Sequence, residues 1–234
     1  MNEIYELENL HKDNLINDIE KKDYSLSDRS GIVVEHVYKS FGKEKVLEDI
    51  SLNIPPGSIY GVVGNNGSGK TVLMKCICGF MKADKGRIYV GGKQIGKDVD
   101  FPESIGVIIE TPGFIPYMSG YKNLKILASL KALIGKEEII DALELVGLKA
   151  AMRKHVSKYS LGMRQRLGIA QAIMEKPDVL ILDEPFNGLD KNKVEDMRVL
   201  LQKLKKEGKA ILLASHNSKD ISVLCDEVIE MSCT

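Results

Sequence analysis

GNNGSGKT, Gly64 to Thr71, sets three glycines, a lysine and a threonine at the spacing G-x-x-x-x-G-K-[ST]. It lies between an apolar run, SIYGVVG, and a helix-like run, VLMKCICGFM. Each residue type has a chemical use there. Gly64, Gly67 and Gly69 let a loop take positive φ and bring backbone amides close to phosphate oxygens. Lys70 can reach the β- and γ-phosphates of a nucleotide, and the Thr71 hydroxyl is a hard oxygen ligand for Mg²⁺. The phosphate-binding set expected from this stretch is Gly64, Asn65, Asn66, Gly67, Ser68, Gly69, Lys70, Thr71 and Val72.

Three more stretches carry groups suited to the same chemistry. VLILDEP, Val179 to Pro185, is an apolar strand ending in carboxylates. Asp183 then falls beside metal-bound phosphates, and Glu184, one residue on, could orient and polarise an attacking water. LLASHN ends another apolar strand in His216. A lone histidine can be purely structural, but ligand sites in α/β sheets lie at this end of the strands, and a γ-phosphate contact is its natural role. In KYSLGMRQR, Ser160 and Gly162 open a run with helical apolar spacing. Ser160 reads as an N-cap, and the amides behind it form a second anion site about ninety residues from the first.

The elements that must position these groups alternate. IVVEHVYKSF and KVLEDISLNI read as two β-rich segments joined at GKE by a hairpin, and GRIYVGGKQI and SIGVIIE as further short strands. Helical spacing marks GYKNLKILASLKALI, KEEIIDALELVG and the segment after Ser160, which Pro177 terminates. Then follow strand DVLILDE, a helix over 191–207, strand AILLAS, a short helix near SKDISVLC, and EVIEM. Strands and helices alternating around a helical insertion imply an α/β core with a mainly parallel sheet.

Residues 1–30 stand apart. They are polar, and Ile4, Leu7, Leu10, Leu15 and Ile19 only half keep a helical period. A weak helix in a flexible arm is expected, with a docking helix for a partner as the other reading.

Composition narrows the class. Lysine plus arginine total 33 and aspartate plus glutamate total 33, so no global charge favours nucleic acid, and no nucleic-acid partner is expected. No apolar run reaches the length of a membrane span, and the N-terminus lacks the pattern of a secretory signal. A cytoplasmic chain is expected. Cys76, Cys78, Cys225 and Cys233 have no metal-binding spacing and read as reduced thiols.

In order, the cradle, helical insertion, YSLGM, VLILDEP, NGLD and SH resemble the ATP-binding subunit of ATP-binding cassette transporters, over residues from about 32 to 231. YSLGM followed by a basic residue and QR is similar to the variant of bacterial drug, bacitracin and lantibiotic-type exporter ATPases. The resemblance implies a P-loop NTPase core (residues 31–234) with an N-terminal antiparallel β subdomain and an inserted α-helical subdomain at about 112–176. It implies ATP and Mg²⁺ as ligands, with hydrolysis powering transport, by preference export, through separate membrane subunits. The chain would sit on the inner face of the membrane and dimerise with itself or a paralogue.

It also implies roles residue by residue. Tyr159 to Met163 stands where the family usually has LSGGQ; Ser160 and Gly162 match and would bind the γ-phosphate held by the opposite subunit. Leu161 and Met163 depart, removing small size at one position and an amide at the other. An ordinary capped helix is the alternative. Phe41 in KSFG matches the aromatic that stacks on adenine, or else is a hairpin core residue. Asp190 in NGLD matches an aspartate linking the two sites, or caps helix 191–207. Glu110 stands where most relatives have glutamine contacting Mg²⁺ and water, so Thr71, Asp183 and Glu110 form the expected metal set; glutamate is common there in the exporter-like group. Lys70, Glu184 and His216 are the expected catalytic residues. Phe114, Ile115, Tyr117 and Met118 on a loop point to a membrane-subunit contact near 111–124, or to local packing. The chain also ends sooner after EVIEM than many relatives, so a C-terminal regulatory portion is expected to be absent or to have been removed. Two other functions remain open: a soluble cassette ATPase acting on DNA or ribosomes, and a regulatory subunit that hydrolyses ATP poorly.

Overall fold

The computed structural model describes residues 30–232; the expected N-terminal arm lies outside the described residues, apart from Ser30. Two sheets carry the strands. In one, β1 (Ile32–Phe41), β2 (Glu44–Ile54), β4 (Lys85–Val90) and β5 (Lys93–Gln94) run antiparallel in the order β2-β1-β4-β5. In the other, β3 (Ser58–Val63), β6 (Ile105–Ile108), β7 (Val179–Asp183), β8 (Ala210–Ala214) and β9 (Glu227–Glu230) are all parallel in the order β6-β7-β8-β3-β9.

The central strands β7 and β8 are apolar without alternation because both faces are covered. Leu180, Leu182, Ile211 and Leu213 pack on one face with α2 (Gly120–Lys131), α3 (Lys136–Leu145), α4 (Leu161–Ile173), α5 (Lys191–Lys206) and α6 (Ser218–Leu224). Val179, Ile181, Ala210 and Leu212 pack on the other with α1 (Lys70–Ile77) and the antiparallel sheet. Close approach of α4 to the sheet depends on Gly106, where a Cβ would stand 2.0 Å from the Ala172 carbonyl oxygen.

Burial pushes the thiols of Cys76, Cys78 and Cys225 up to about 11, about 12 and about 12, so none is a thiolate at neutral pH. All three are free, as expected; Cys233 lies outside the described residues.

Candidate active site

The loop after β3 turns directly into α1. Gly69 sits at the helix N-cap with φ 91°, and no side chain caps the helix, so its first amides are left for another acceptor. Gly64 is required by space: a Cβ would lie 2.2 Å from the Met231 carbonyl oxygen. Lys70 folds back over the loop and donates to the carbonyl oxygens of Gly64 at 2.7 Å and Asn65 at 2.9 Å. The Ser68 hydroxyl is buried with no hydrogen-bond partner. A buried donor of this kind, beside a buried ammonium and free helix amides, fits an anion.

β7 delivers the carboxylates. Thr71 Oγ1 donates to Asp183 Oδ2 at 2.9 Å, joining the start of α1 to the end of β7. The pair offers the hard oxygen atoms a divalent cation takes. Glu184 follows with φ 49°, a left-handed conformation unfavourable for a residue with a Cβ. Its surroundings over-determine it: its N–H donates to the Ala214 carbonyl oxygen at 3.0 Å, and its carbonyl oxygen accepts from Gln165 Nε2 at 3.1 Å. Its carboxylate faces His216, with Oε1 3.4 Å from Nε2, and Oε1 makes no hydrogen bond. His216 lies two residues beyond the end of β8, and its side chain is more than half exposed.

Burial raises the Glu184 carboxyl above the ordinary glutamate range; a protonated His216 opposes this and Asp183 adds to it. By carboxyl NMR titration of the nucleotide-free protein, Glu184 should therefore titrate above the usual value of about 4.3. In His216→Ala the midpoint should move higher still, because a counter-charge is lost. A Glu184 midpoint at the ordinary value would contradict this electrostatic picture.

Two further groups of expected residues lie apart from this pairing. Glu110 is not gathered with Thr71 and Asp183: its carboxylate pairs with Lys75 Nζ at 2.6 Å, one helical turn along α1, and is largely exposed. Of the three residues of the expected metal set, Thr71 and Asp183 are joined by a hydrogen bond and Glu110 pairs elsewhere. In the loop 111–118, only Tyr117 of the four apolar residues is exposed, at 71%. Phe114 packs on the core, and Asn123 clamps Ile115 by accepting from its N–H at 2.8 Å and donating to its carbonyl oxygen at 3.1 Å. Phe41 is 47% exposed at the tip of β1, with Lys39 Nζ 5.6 Å from its ring centre, so it is not a hairpin core residue.

The second anion site stands apart. Ser160 is exposed and caps α4 by accepting from the Met163 N–H at 3.2 Å. A Cβ on Gly162 would lie 2.6 Å from the Gly188 carbonyl oxygen, so this helix end rests on the NGLD loop. Asp190 in that loop caps α5, accepting from the Lys193 N–H at 3.0 Å. No hydrogen bond or ion pair among the described residues joins Ser160 or Gly162 to the cradle of the same chain.

Sequence reading missed Gln165. Its signal is a polar residue on the stripe that α4 buries, in line with Ile169 and Ala172; a buried amide at such a position needs a partner. It also missed Phe80 and Phe101, which are 60% and 58% exposed with ring centres 6.2 Å apart. They line a groove of about 320 Å³ that reaches Leu127 of α2.

Known proteins share this arrangement. The sequence model of the ABC transporter family matches residues 47–187. The ABC transporter ATP-binding protein YybJ of Bacillus subtilis (strain 168) is 43% identical over 201 residues, 86% of this chain and 92% of that protein. The bacitracin transport ATP-binding protein BcrA of Enterococcus faecalis is 43% identical over 199 residues, 84% of this chain and 65% of that one. Among solved structures, an ATP-binding subunit of an ABC transporter superposes with a TM-score of 0.78 at 25% identity, covering 86% of this chain and 85% of that chain. Sequence order, fold and relatives thus agree: the chain belongs to the ABC transporter family, as an ATP-binding subunit with ATPase activity.

Proposed function

We propose that two such chains, or this chain and a paralogue, close head to tail over two ATP molecules and drive export through separate membrane subunits. The observation that carries this reading is the separation of the two anion sites. The Ser160 helix end has a free anion-binding geometry but no contact with its own cradle, so a γ-phosphate held on another subunit is the anion it suits.

Each cradle would hold the β- and γ-phosphates through Lys70, the α1 amides and the Ser68 hydroxyl, with Phe41 against the adenine. Thr71 and Asp183 would hold Mg²⁺, which, when bound, neutralises charge on the phosphate oxygens. Glu184 would orient and deprotonate the attacking water, and His216, beside that carboxylate, would donate to the γ-phosphate. Loss of the γ-phosphate removes the anion at the partner's Ser160 site, and the two halves separate.

The membrane subunit would contact the surface that runs from Tyr117 along α2 to the Phe80–Phe101 groove. Exposed aromatic pairs of this kind are enriched at interfaces. No helix of the described residues is long and apolar enough to cross a membrane; separate spanning subunits would hold the chain at the inner membrane face. Export is favoured by the resemblance of YSLGM and the residues after it to exporter-type ATPases, and a bacitracin transport subunit is among the relatives.

Co-purification from detergent-solubilised membranes tests this reading. The full chain should bring down a multi-spanning membrane protein, and Phe80→Glu/Phe101→Glu should lose it while keeping nucleotide binding. Recovery of nucleic acid in place of a membrane protein would contradict it.

A further inference from the structure

Arg198 on α5 and Asp220 on α6 form an ion pair that is 5% and 2% exposed. Arg198 Nε donates to Asp220 Oδ1 at 3.0 Å, Nη2 donates to the same oxygen, and Nη1 reaches Glu195 Oε2 at 3.1 Å. The remaining oxygen, Asp220 Oδ2, accepts from the Ser215 hydroxyl at 3.1 Å. The Ser215 hydroxyl oxygen in turn accepts from the Asn217 N–H at 3.2 Å. Asn217 then caps α6, its Oδ1 accepting from the Lys219 N–H at 3.0 Å.

Removing two charges from water is costly, and a buried ion pair is weak grounds for stability, since apolar side chains of similar volume can fill the same space. The chain of bonds has a specific end point. Ser215 and Asn217 are the two neighbours of His216, whose own side chain is exposed toward Glu184. The network therefore fixes the backbone on both sides of an imidazole that itself faces the Glu184 carboxylate. Its other end is on α5, the helix that Asp190 caps and whose preceding loop carries the Gly162 contact.

We propose that Arg198 and Asp220, acting through the Ser215 hydroxyl, are positioning residues that set His216 in the hydrolytic site and tie its placement to α5. The inference rests on the reading of His216 as a γ-phosphate contact. It adds that the imidazole is held by a buried polar chain rather than by the strand end alone.

Steady-state ATPase kinetics of the full chain test it, with thermal melting as a control for folding. Ser215→Ala removes the link without stranding a charge. It should lower kcat about 10- to 100-fold, the scale of a small misplacement in an active site, with KM for ATP little changed because the cradle is intact. Ser215→Thr, which keeps the hydroxyl, should restore kcat. Arg198→Met/Asp220→Leu should fold and melt cooperatively yet show the same kcat defect. In a His216→Ala background Ser215→Ala should add no further loss, since both changes act on one group. Multiplicative losses in that double variant, or wild-type kcat in Ser215→Ala or in the folded Arg198→Met/Asp220→Leu protein, would overturn the linkage. Wild-type kcat in His216→Ala alone would instead remove the reading of His216 on which it rests.

Discussion

Glu184→Gln is expected to bind ATP as well as the wild-type chain and to hydrolyse it about 10²- to 10⁴-fold more slowly, the range over which a positioned general base acts. The amide keeps the shape and the backbone contacts of Glu184 to Ala214 and Gln165 but cannot take a proton from water. Nothing in the cradle changes, so the phosphate contacts proposed for Lys70, Ser68 and the α1 amides should be retained. Single-turnover measurements with radiolabelled ATP, beside an equilibrium binding titration, separate the two effects. The variant should also be slightly more stable at neutral pH, because burial disfavours the Glu184 carboxylate and the amide has no charge to bury. A Glu184→Gln protein with wild-type turnover would exclude this residue as the base.

How far the site could be read from residues alone follows from the range of each interaction. The cradle was legible because its chemistry is local: glycine freedom, one lysine and one threonine within eight positions, between a strand and a helix. The apolar strands ending in Asp183 and Ala214 were legible because a buried parallel strand has no polar side to alternate. The Ser160 and Asp190 caps were legible for the same reason, each side chain serving an amide three residues on.

Longer-range pairings were not. Gln165 reaches Glu184 across 19 positions and Arg198 reaches Asp220 across 22, and nothing in their local spacing selects the partner. Glu110 illustrates the converse: only the family resemblance assigned it to the metal set, and nothing in its local spacing announced its partner, Lys75 Nζ at 2.6 Å. The apolar loop after it looked exposed by composition, yet Asn123 ties Ile115 down and Phe114 turns inward, leaving Phe80 and Phe101 as the larger exposed pair.

Ser160→Asp is expected to block assembly of the ATP-bound dimer. Aspartate is as good an N-cap as serine, so α4 should keep its start and the monomer its fold. The change places a carboxylate where the proposed dimer puts the opposite subunit's γ-phosphate, and like charges brought together in an interface cost several kcal/mol. Were Ser160 only a cap, the substitution would be nearly neutral. ATPase activity should fall accordingly, with ATP affinity of the isolated chain, set by its own cradle, retained.

The composite site is tested most directly by sedimentation of the Glu184→Gln protein with and without Ser160→Asp, in saturating MgATP. Glu184→Gln alone should sediment as a dimer only when ATP is present, and Glu184→Gln/Ser160→Asp as a monomer that still binds ATP. A double variant that dimerises as readily as Glu184→Gln, or a Glu184→Gln protein that stays monomeric with ATP bound, would contradict the account.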